Sequence, residues 1–254
     1  MILESEIDVC YRSLWIRYWP YRDNFQSTQM SAAATTDSIR IPDDAHELST
    51  AEVSDALDAL RLPGSALGIG HVAGTARIFG PAFTVRYAPI DNANPGTVGD
   101  YLDDTPEGAV VVLDNGGRVD CTVWGGILSQ LAAHRGIGGT VIWGVCRDIG
   151  EAEQVEYPLY ACGRFMRTGK DRVQVESVGG TVSLADVRVT AGDFIVGDED
   201  GIVVVPRARV TEVFERALEL RAAEQRIVAS TLSGVSLTEA RRQAAYHTLQ
   251  RAEG

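Results

Sequence analysis

Three short segments carry residue types that could act on a small anionic substrate. Cys146-Arg147-Asp148 follows a nearly continuous apolar run, Trp124-Gly125-Gly126 opens a stretch of helical period, and Asp114-Asn115-Gly116-Gly117 follows an earlier apolar run. Arg147 offers a planar fork of donors that suits a carboxylate or the carbonyl oxygen of an oxo acid. Asp148 is suited to a divalent cation such as Mg²⁺, which keeps most of its waters and takes one or two protein carboxylates. Gly125 and Gly126 would let backbone amides at a helix N-terminus approach a substrate carboxylate. Each segment also has a plain structural alternative. An Arg-Asp pair at a strand end serves as an ion pair, and a Gly-Gly step is an ordinary turn.

The elements that must position these residues can be read from periodicity. Residues 108–113 and 139–145 are short, nearly continuous apolar runs, as expected of strands covered on both faces, and residues 127–134 between them repeat with a helical period. Strand, helix and strand make a βαβ unit, and ligands of such sheets bind beyond the carboxyl ends of the strands. All three candidate segments fall at that edge. Upstream, Ser49-Thr50-Ala51-Glu52 reads as a capping box opening a helix over 51–60, closed by Pro63-Gly64. Residues 80–88 alternate apolar and polar, which predicts a half-exposed strand. Downstream, residues 173–178, 187–190, 194–196 and 201–205 read as short strands divided by Gly-containing turns, followed by an amphipathic helix over 210–229 and a weaker one over 237–249.

Composition narrows the classes. The 254 residues are 45% hydrophobic, enough for a sizeable core, and the net charge of −12 repels polyanions, so nucleic acid is not an expected ligand. No run of 18 apolar residues predicts a membrane span, and Glu4, Glu6 and Asp8 stand where a signal peptide would carry basic residues. Cys10, Cys121, Cys146 and Cys162 form no CxxC pair, which fits reduced thiols in a cytoplasmic protein. Cys146 reads as a small buried hydrophobe, and Trp124 and Trp143 as core or subunit contacts. The four histidines lack metal-binding spacing. Residues 1–48 read as an N-terminal appendage, with Met30 as the expected natural start; the alternative is an arm packing on a neighbouring subunit through Trp15 and Trp19. Residues 49–237 read as one α/β domain, and residues 238–254 as a C-terminal helix and tail.

The run Trp124-Gly125-Gly126-Ile127-Leu128, then Arg135-Gly136-Ile137-Gly138-Gly139-Thr140-Val141-Ile142, then Gly144-Val145-Cys146-Arg147-Asp148, resembles the RraA-like superfamily. That superfamily contains the 4-hydroxy-4-methyl-2-oxoglutarate/4-carboxy-4-hydroxy-2-oxoadipate aldolases and the ribonuclease E regulators. Ser54-Asp55-Ala56-Leu57, Gly80-Pro81-Ala82-Phe83-Thr84-Val85, Gly192-Asp193 and the stretch from Gly197-Asp198 to Pro206 extend the likeness over roughly residues 49–237. The resemblance implies a swivelling-type β/β/α domain with a βαβ core and a C-terminal helix, assembled as a homotrimer or dimer of trimers with active sites between subunits. In the aldolase members a divalent metal, Mg²⁺ with Mn²⁺ as the alternative, is held by the Asp matching Asp148. The Arg matching Arg147 contacts the pyruvate part of the substrate, and amides matching Ile127 and Leu128 receive its carboxylate. The implied binding set is Gly125, Gly126, Ile127, Leu128 and Arg147, with Asp114 and Asn115. Cleavage β to a carbonyl leaves pyruvate enolate, whose charge a metal and an Arg would stabilise. No Schiff-base lysine is needed, and the single lysine, Lys170, lies in a polar Gly-containing loop that suits a desolvated nucleophile poorly.

One position departs from the resemblance. Many aldolase members carry an acid 21 positions before the Arg, where this chain has Gly126. Another acid (Asp114, Asp120, or Glu199 from a neighbouring subunit) substitutes, or the substrate differs, or the aldolase activity is gone. The expected function is therefore a metal-dependent carbon–carbon lyase acting on a small oxo acid. The rival is a non-catalytic oligomeric regulator that binds another protein.

Overall fold

The computed structural model describes residues 40–246. The readings of residues 1–39, among them Met30 and the Trp15 and Trp19 arm, lie outside the described residues; the helix expected over 237–249 stops at Gln243, where Ala244 and Ala245 turn the chain, Ala245 with φ 51°. Asp43–Glu47 form one 3-10 turn, with Ala45 and Leu48 fully buried. Ser49 then caps α1 (Thr50–Ala59) as its sequence predicts: its hydroxyl accepts the Glu52 N–H at 3.2 Å, and Glu52 Oε2 accepts the Ser49 N–H at 2.8 Å. Buried Asp198 accepts the Thr50 N–H at 2.7 Å and the Thr50 hydroxyl at 2.5 Å, fixing the start of this helix to the sheet.

The strands are β1 (Gly70–Ala73), β2 (Ile78–Pro89), β3 (Val110–Thr122), β4 (Gly139–Cys146), β5 (Leu159–Arg164), β6 (Val173–Val178), β7 (Val182–Leu184), β8 (Val187–Val189), β9 (Phe194–Asp198) and β10 (Gly201–Val205). Eight of them form one sheet in the order β1-β5-β4-β3-β2-β9-β10, with β6 pairing the second half of β2, while β7 and β8 form a separate hairpin. The expected βαβ unit is present: β3 and β4 are parallel neighbours joined through α2 (Gly126–His134). A second unit, not visible in the sequence pattern, joins β4 to parallel β5 through the short α3 (Ile149–Gln154). The segment before β1 nearly closes the sheet. Ser65 bridges Val203 of β10 and the Ala66 N–H reaches Ile202 O at 3.0 Å, after which β1 pairs with β5 at the other edge.

Two apolar layers flank the sheet. Val111, Leu113 and Ile142 face a cluster holding Trp124 and Tyr157, whereas Val110, Val112 and Val141 face one holding Ile78, Tyr160 and Ile195. Coverage of both faces explains the continuous apolar runs of β3 and β4. It also corrects the reading of β2, expected to be half-exposed. Thr84 is fully buried there, its hydroxyl donating to Gly180 O at 2.6 Å and its carbonyl accepting from Gly179 N. Alternation in β2 reflects a polar side chain satisfied by backbone, not a wet face. The chain ends in α4 (Val210–Leu232), packed on α1, and α5 (Leu237–Gln243), capped by Ser236. The α/β architecture with a C-terminal helix is thus as expected. No described helix is long and apolar enough to cross a membrane.

Candidate functional site

Four segments from distant parts of the chain enclose a pocket of about 590 Å³. One wall is the turn Trp124-Gly125-Gly126 and the first residues of α2, Ile127 and Leu128. Beside it stand Arg147 and Asp148 at the end of β4. The rest of the lining is residues 95–100 with Ile90, and Thr168, Lys170 and Asp171 after β5. A cavity of this size admits more than a three-carbon acid.

The first two segments are joined through the backbone. The Arg147 N–H donates to Trp124 O at 3.1 Å, and the Gly126 N–H donates to Asp148 Oδ2 at 3.0 Å. Trp124 itself is buried, stacked on Tyr157 at 5.9 Å between ring centroids, with its indole N–H on Ser129 Oγ at 2.9 Å. The rigid indole therefore anchors the turn that reaches the pocket. Asp148 adopts left-handed backbone geometry (φ 57°, ψ 45°), which turns the chain from β4 into α3 and aims its carboxylate back at Gly126. Asp and Asn tolerate this region better than most residues. A Cβ at Gly125 would lie 2.7 Å from Asp148 Oδ2 and 3.2 Å from Arg147 Nε, so a side chain there would push the Asp148 carboxylate from its place. Arg147 Nε meets Asp148 Oδ2 at 3.3 Å, and both side chains stay about 40% exposed. The pair is in contact, yet among the described residues nothing else holds the outer guanidinium nitrogens.

The loop after β5 is pinned as firmly. A Cβ on Gly169 would lie 2.5 Å from Thr122 O, and the Arg172 guanidinium donates to the carbonyls of Thr168 (3.3 Å) and Lys170 (3.2 Å). This loop presents Lys170, whose ammonium has no partner among the described residues. Sequence reasoning set Lys170 aside as a nucleophile and so missed it as a binding cation; the available signal was the chain's one lysine lying among Arg167, Asp171 and Arg172.

Of the expected site residues, the structure brings together Gly125, Gly126, Ile127, Leu128, Arg147 and Asp148. Asp114, Asn115, Asp120 and Glu199 are not among the residues lining the pocket. The reason is that β3 does not stop at Leu113. It continues to Thr122 through two register shifts, so that Asp114 pairs with Trp143, Arg118 with Gly144 and Thr122 with Val145. Asp114 accepts the N–H groups of Gly116 and Ser183, and buried Asn115 donates to Cys121 O at 3.4 Å. Two hydrogen bonds from Arg118 hold the Asp120 carboxyl below the usual carboxylate range. Glu199 is exposed in the turn between β9 and β10. Cys146 is buried, and desolvation pushes its thiol up to about 12, in keeping with a packing role.

The donor set near Asp148 suits a hard cation that keeps its own waters. The described residues contain no group of three or more His, Cys, Asp or Glu placed to hold a metal, but Mg²⁺ needs only one or two carboxylates.

A family model described as RraA-like, Aldolase/RraA, matches residues 50–204. Protein DlpA of Legionella pneumophila is 36% identical over 199 residues, covering 78% of this chain and 32% of DlpA, so the chain spans about a third of that relative. A Thermus thermophilus protein named 4-hydroxy-4-methyl-2-oxoglutarate aldolase is 32% identical over 137 residues, 52% of this chain and 78% of that protein. The crystal structure of an uncharacterized protein from Pseudomonas syringae pv. tomato superposes with a TM-score of 0.72 at 39% identity, over 80% of this chain and 99% of that one.

Proposed function

Because the chain belongs to the RraA-like family, we propose that it is a carbon–carbon lyase that cleaves a small oxo acid through a pyruvate enolate, by retro-aldol fission or decarboxylation. The observation that carries this reading is the convergence of Arg147, Asp148 and the first turn of α2 on one open pocket. The first-turn amides of Ile127 and Leu128, of the kind a helix leaves unpaired, receive the substrate carboxylate. Arg147 donates from its outer nitrogens to the 2-oxo oxygen. As the bond between C3 and C4 breaks, its electron pair moves into the enolate, and the guanidinium meets the charge that grows on oxygen. The 4-hydroxyl proton, or CO₂ in a decarboxylation, leaves to solvent through the open side. A proton then returns to C3. Asp148 would hold Mg²⁺, or Mn²⁺, which adds Lewis-acid stabilisation of that oxyanion. Lys170, in the loop after β5, contributes attraction for an anionic substrate.

Asp148→Asn tests the reading, since Asn keeps the shape and tolerates the left-handed backbone. With oxaloacetate or a 4-hydroxy-2-oxo acid and Mg²⁺, pyruvate release should fall by about 10²–10³-fold; an unchanged rate removes the proposal. We further propose a homotrimer or dimer of trimers, read by light scattering in solution. The second reading, a non-catalytic protein-binding regulator, is favoured by Ile127, an apolar side chain 83% exposed at the pocket. A stable partner recovered by pull-down, with no turnover of any oxo acid, would select it.

A further inference from the structure

Gly126 is the first residue of α2, and the space its missing side chain would fill belongs to two acids. A Cβ built there would lie 3.1 Å from both Cβ and Cγ of Glu151 and 3.3 Å from Cβ of Asp148. The stems of both acidic side chains thus converge on one backbone atom. They are three residues apart, Asp148 as the N-cap and Glu151 in the first turn of α3. Backbone hydrogen bonds close the corner: the Glu151 N–H donates to Asp148 O at 3.2 Å, and the Gly126 N–H to Asp148 Oδ2 at 3.0 Å. The Glu151 side chain is exposed, and among the described residues its carboxylate has no ion-pair or hydrogen-bond partner. Like Glu151, Asp114 and Asp120 are not among the residues lining the pocket, but unlike it they are tied to backbone amides and to Arg118.

We propose that Glu151 is a positioning residue of the Asp148 site, supplying from α3 the second carboxylate that position 126 lacks. Its carboxylate accepts hydrogen bonds from the waters of a divalent cation held by Asp148, and so raises the affinity of the site for that cation. Glycine at 126 and glutamate at 151 crowd one space: a side chain at 126 requires the Glu151 stem to give way by a few tenths of an ångström. The inference rests on the cation-binding part of the proposed function and goes beyond it in naming the second acid and the residue that makes room for it.

The test measures Mn²⁺ binding by calorimetry on the full chain, alongside pyruvate release from oxaloacetate. Glu151→Gln should weaken Mn²⁺ binding about 10-fold or more, the usual consequence of losing an outer partner of a metal site. The reciprocal variant Gly126→Asp/Glu151→Gly moves the carboxylate to the other side of the same space. It should bind Mn²⁺ within about threefold of the parent and tighter than Gly126→Asp alone, where the two side chains compete. Circular dichroism establishes that each variant is folded. Mn²⁺ affinity unaltered by Glu151→Gln, or a reciprocal variant no better than Glu151→Gln, overturns the inference. A parent that binds Mn²⁺ in a Glu151-dependent way but turns over no oxo acid would remove the lyase reading and support this one. A working lyase indifferent to Glu151→Gln in both readouts would do the reverse.

Discussion

At the scale of the residue, the pocket is a balance of few charges. Arg147, Lys170, Asp148, Asp100 and Asp171 line it, Arg147 in contact with Asp148, and most of these side chains keep access to solvent. Long-range attraction and local recognition are therefore separable. Lys170 makes no ion pair with Asp148 in the structure, so its charge should act on substrate capture more than on bond breaking. Lys170→Met is expected to raise KM for an anionic oxo acid about 10-fold while kcat changes less than about threefold, the pattern of an interaction equally strong in ground and transition states. Steady-state kinetics at two salt concentrations read this. The salt dependence of kcat/KM should flatten in the variant. A large drop in kcat instead would mean that Lys170 touches the reacting atoms.

At the scale of the element, what positions the site is the end of β4 and the turn into α2, and both were legible in the sequence. Gly139 to Val145 is apolar nearly throughout, and Gly125-Gly126 precedes a helical period, so Arg147, Asp148, Gly125 and Gly126 were placed at one sheet edge from pattern alone, while Ile127 and Leu128 entered through the family resemblance. Less legible were β1, β5 and α3, which are short and lack a distinctive period; α3 spans six residues, too few to declare a face. The course of β3 beyond Leu113 was hidden for another reason. Asp114-Asn115-Gly116-Gly117 has the composition of a strand-ending turn, and Gly116 and Gly117 do take positive φ, yet the strand resumes after them. Local turn chemistry was read correctly and its topological consequence was not. The loop after β5 was missed because its fixing contact is a close approach, Gly169 against Thr122 O, that leaves no periodic trace. Gly169→Ala should cost about 1–3 kcal/mol, from overpacking against backbone that cannot move aside. Thermal unfolding would show the loss as a fall in Tm, and a shifted Lys170 would show as a raised KM. A Tm and KM unchanged by the methyl group would mean the loop is looser than its contacts imply.

At the scale of the whole molecule, stability and the site depend on the same two-sided core. Tyr87, Tyr101 and Tyr157 are buried, and desolvation raises all three hydroxyls well above their ordinary range; Cys146 is pushed up to about 12. Unfolding returns these groups to water, where thiols titrate near 9 and phenols near 10. The folded state keeps the protons that the unfolded state gives up, so their contribution is fully present below about pH 9 and is lost as pH climbs from there toward 12. Tm measured at about pH 7, 9 and 10.5 should decline mainly over the last interval; a flat profile would mean these groups meet more water than the structure gives them. The detour in β3 has a practical corollary. Residues 115–121 are held between paired anchors at Asp114, Arg118 and Thr122, and Val119 stands 63% exposed within it. Extra length can bulge outward there without shifting the ladder on either side. A short epitope tag grafted after Val119 should leave oxo-acid turnover within about twofold of the parent, making this bend a convenient handle for immobilising the protein.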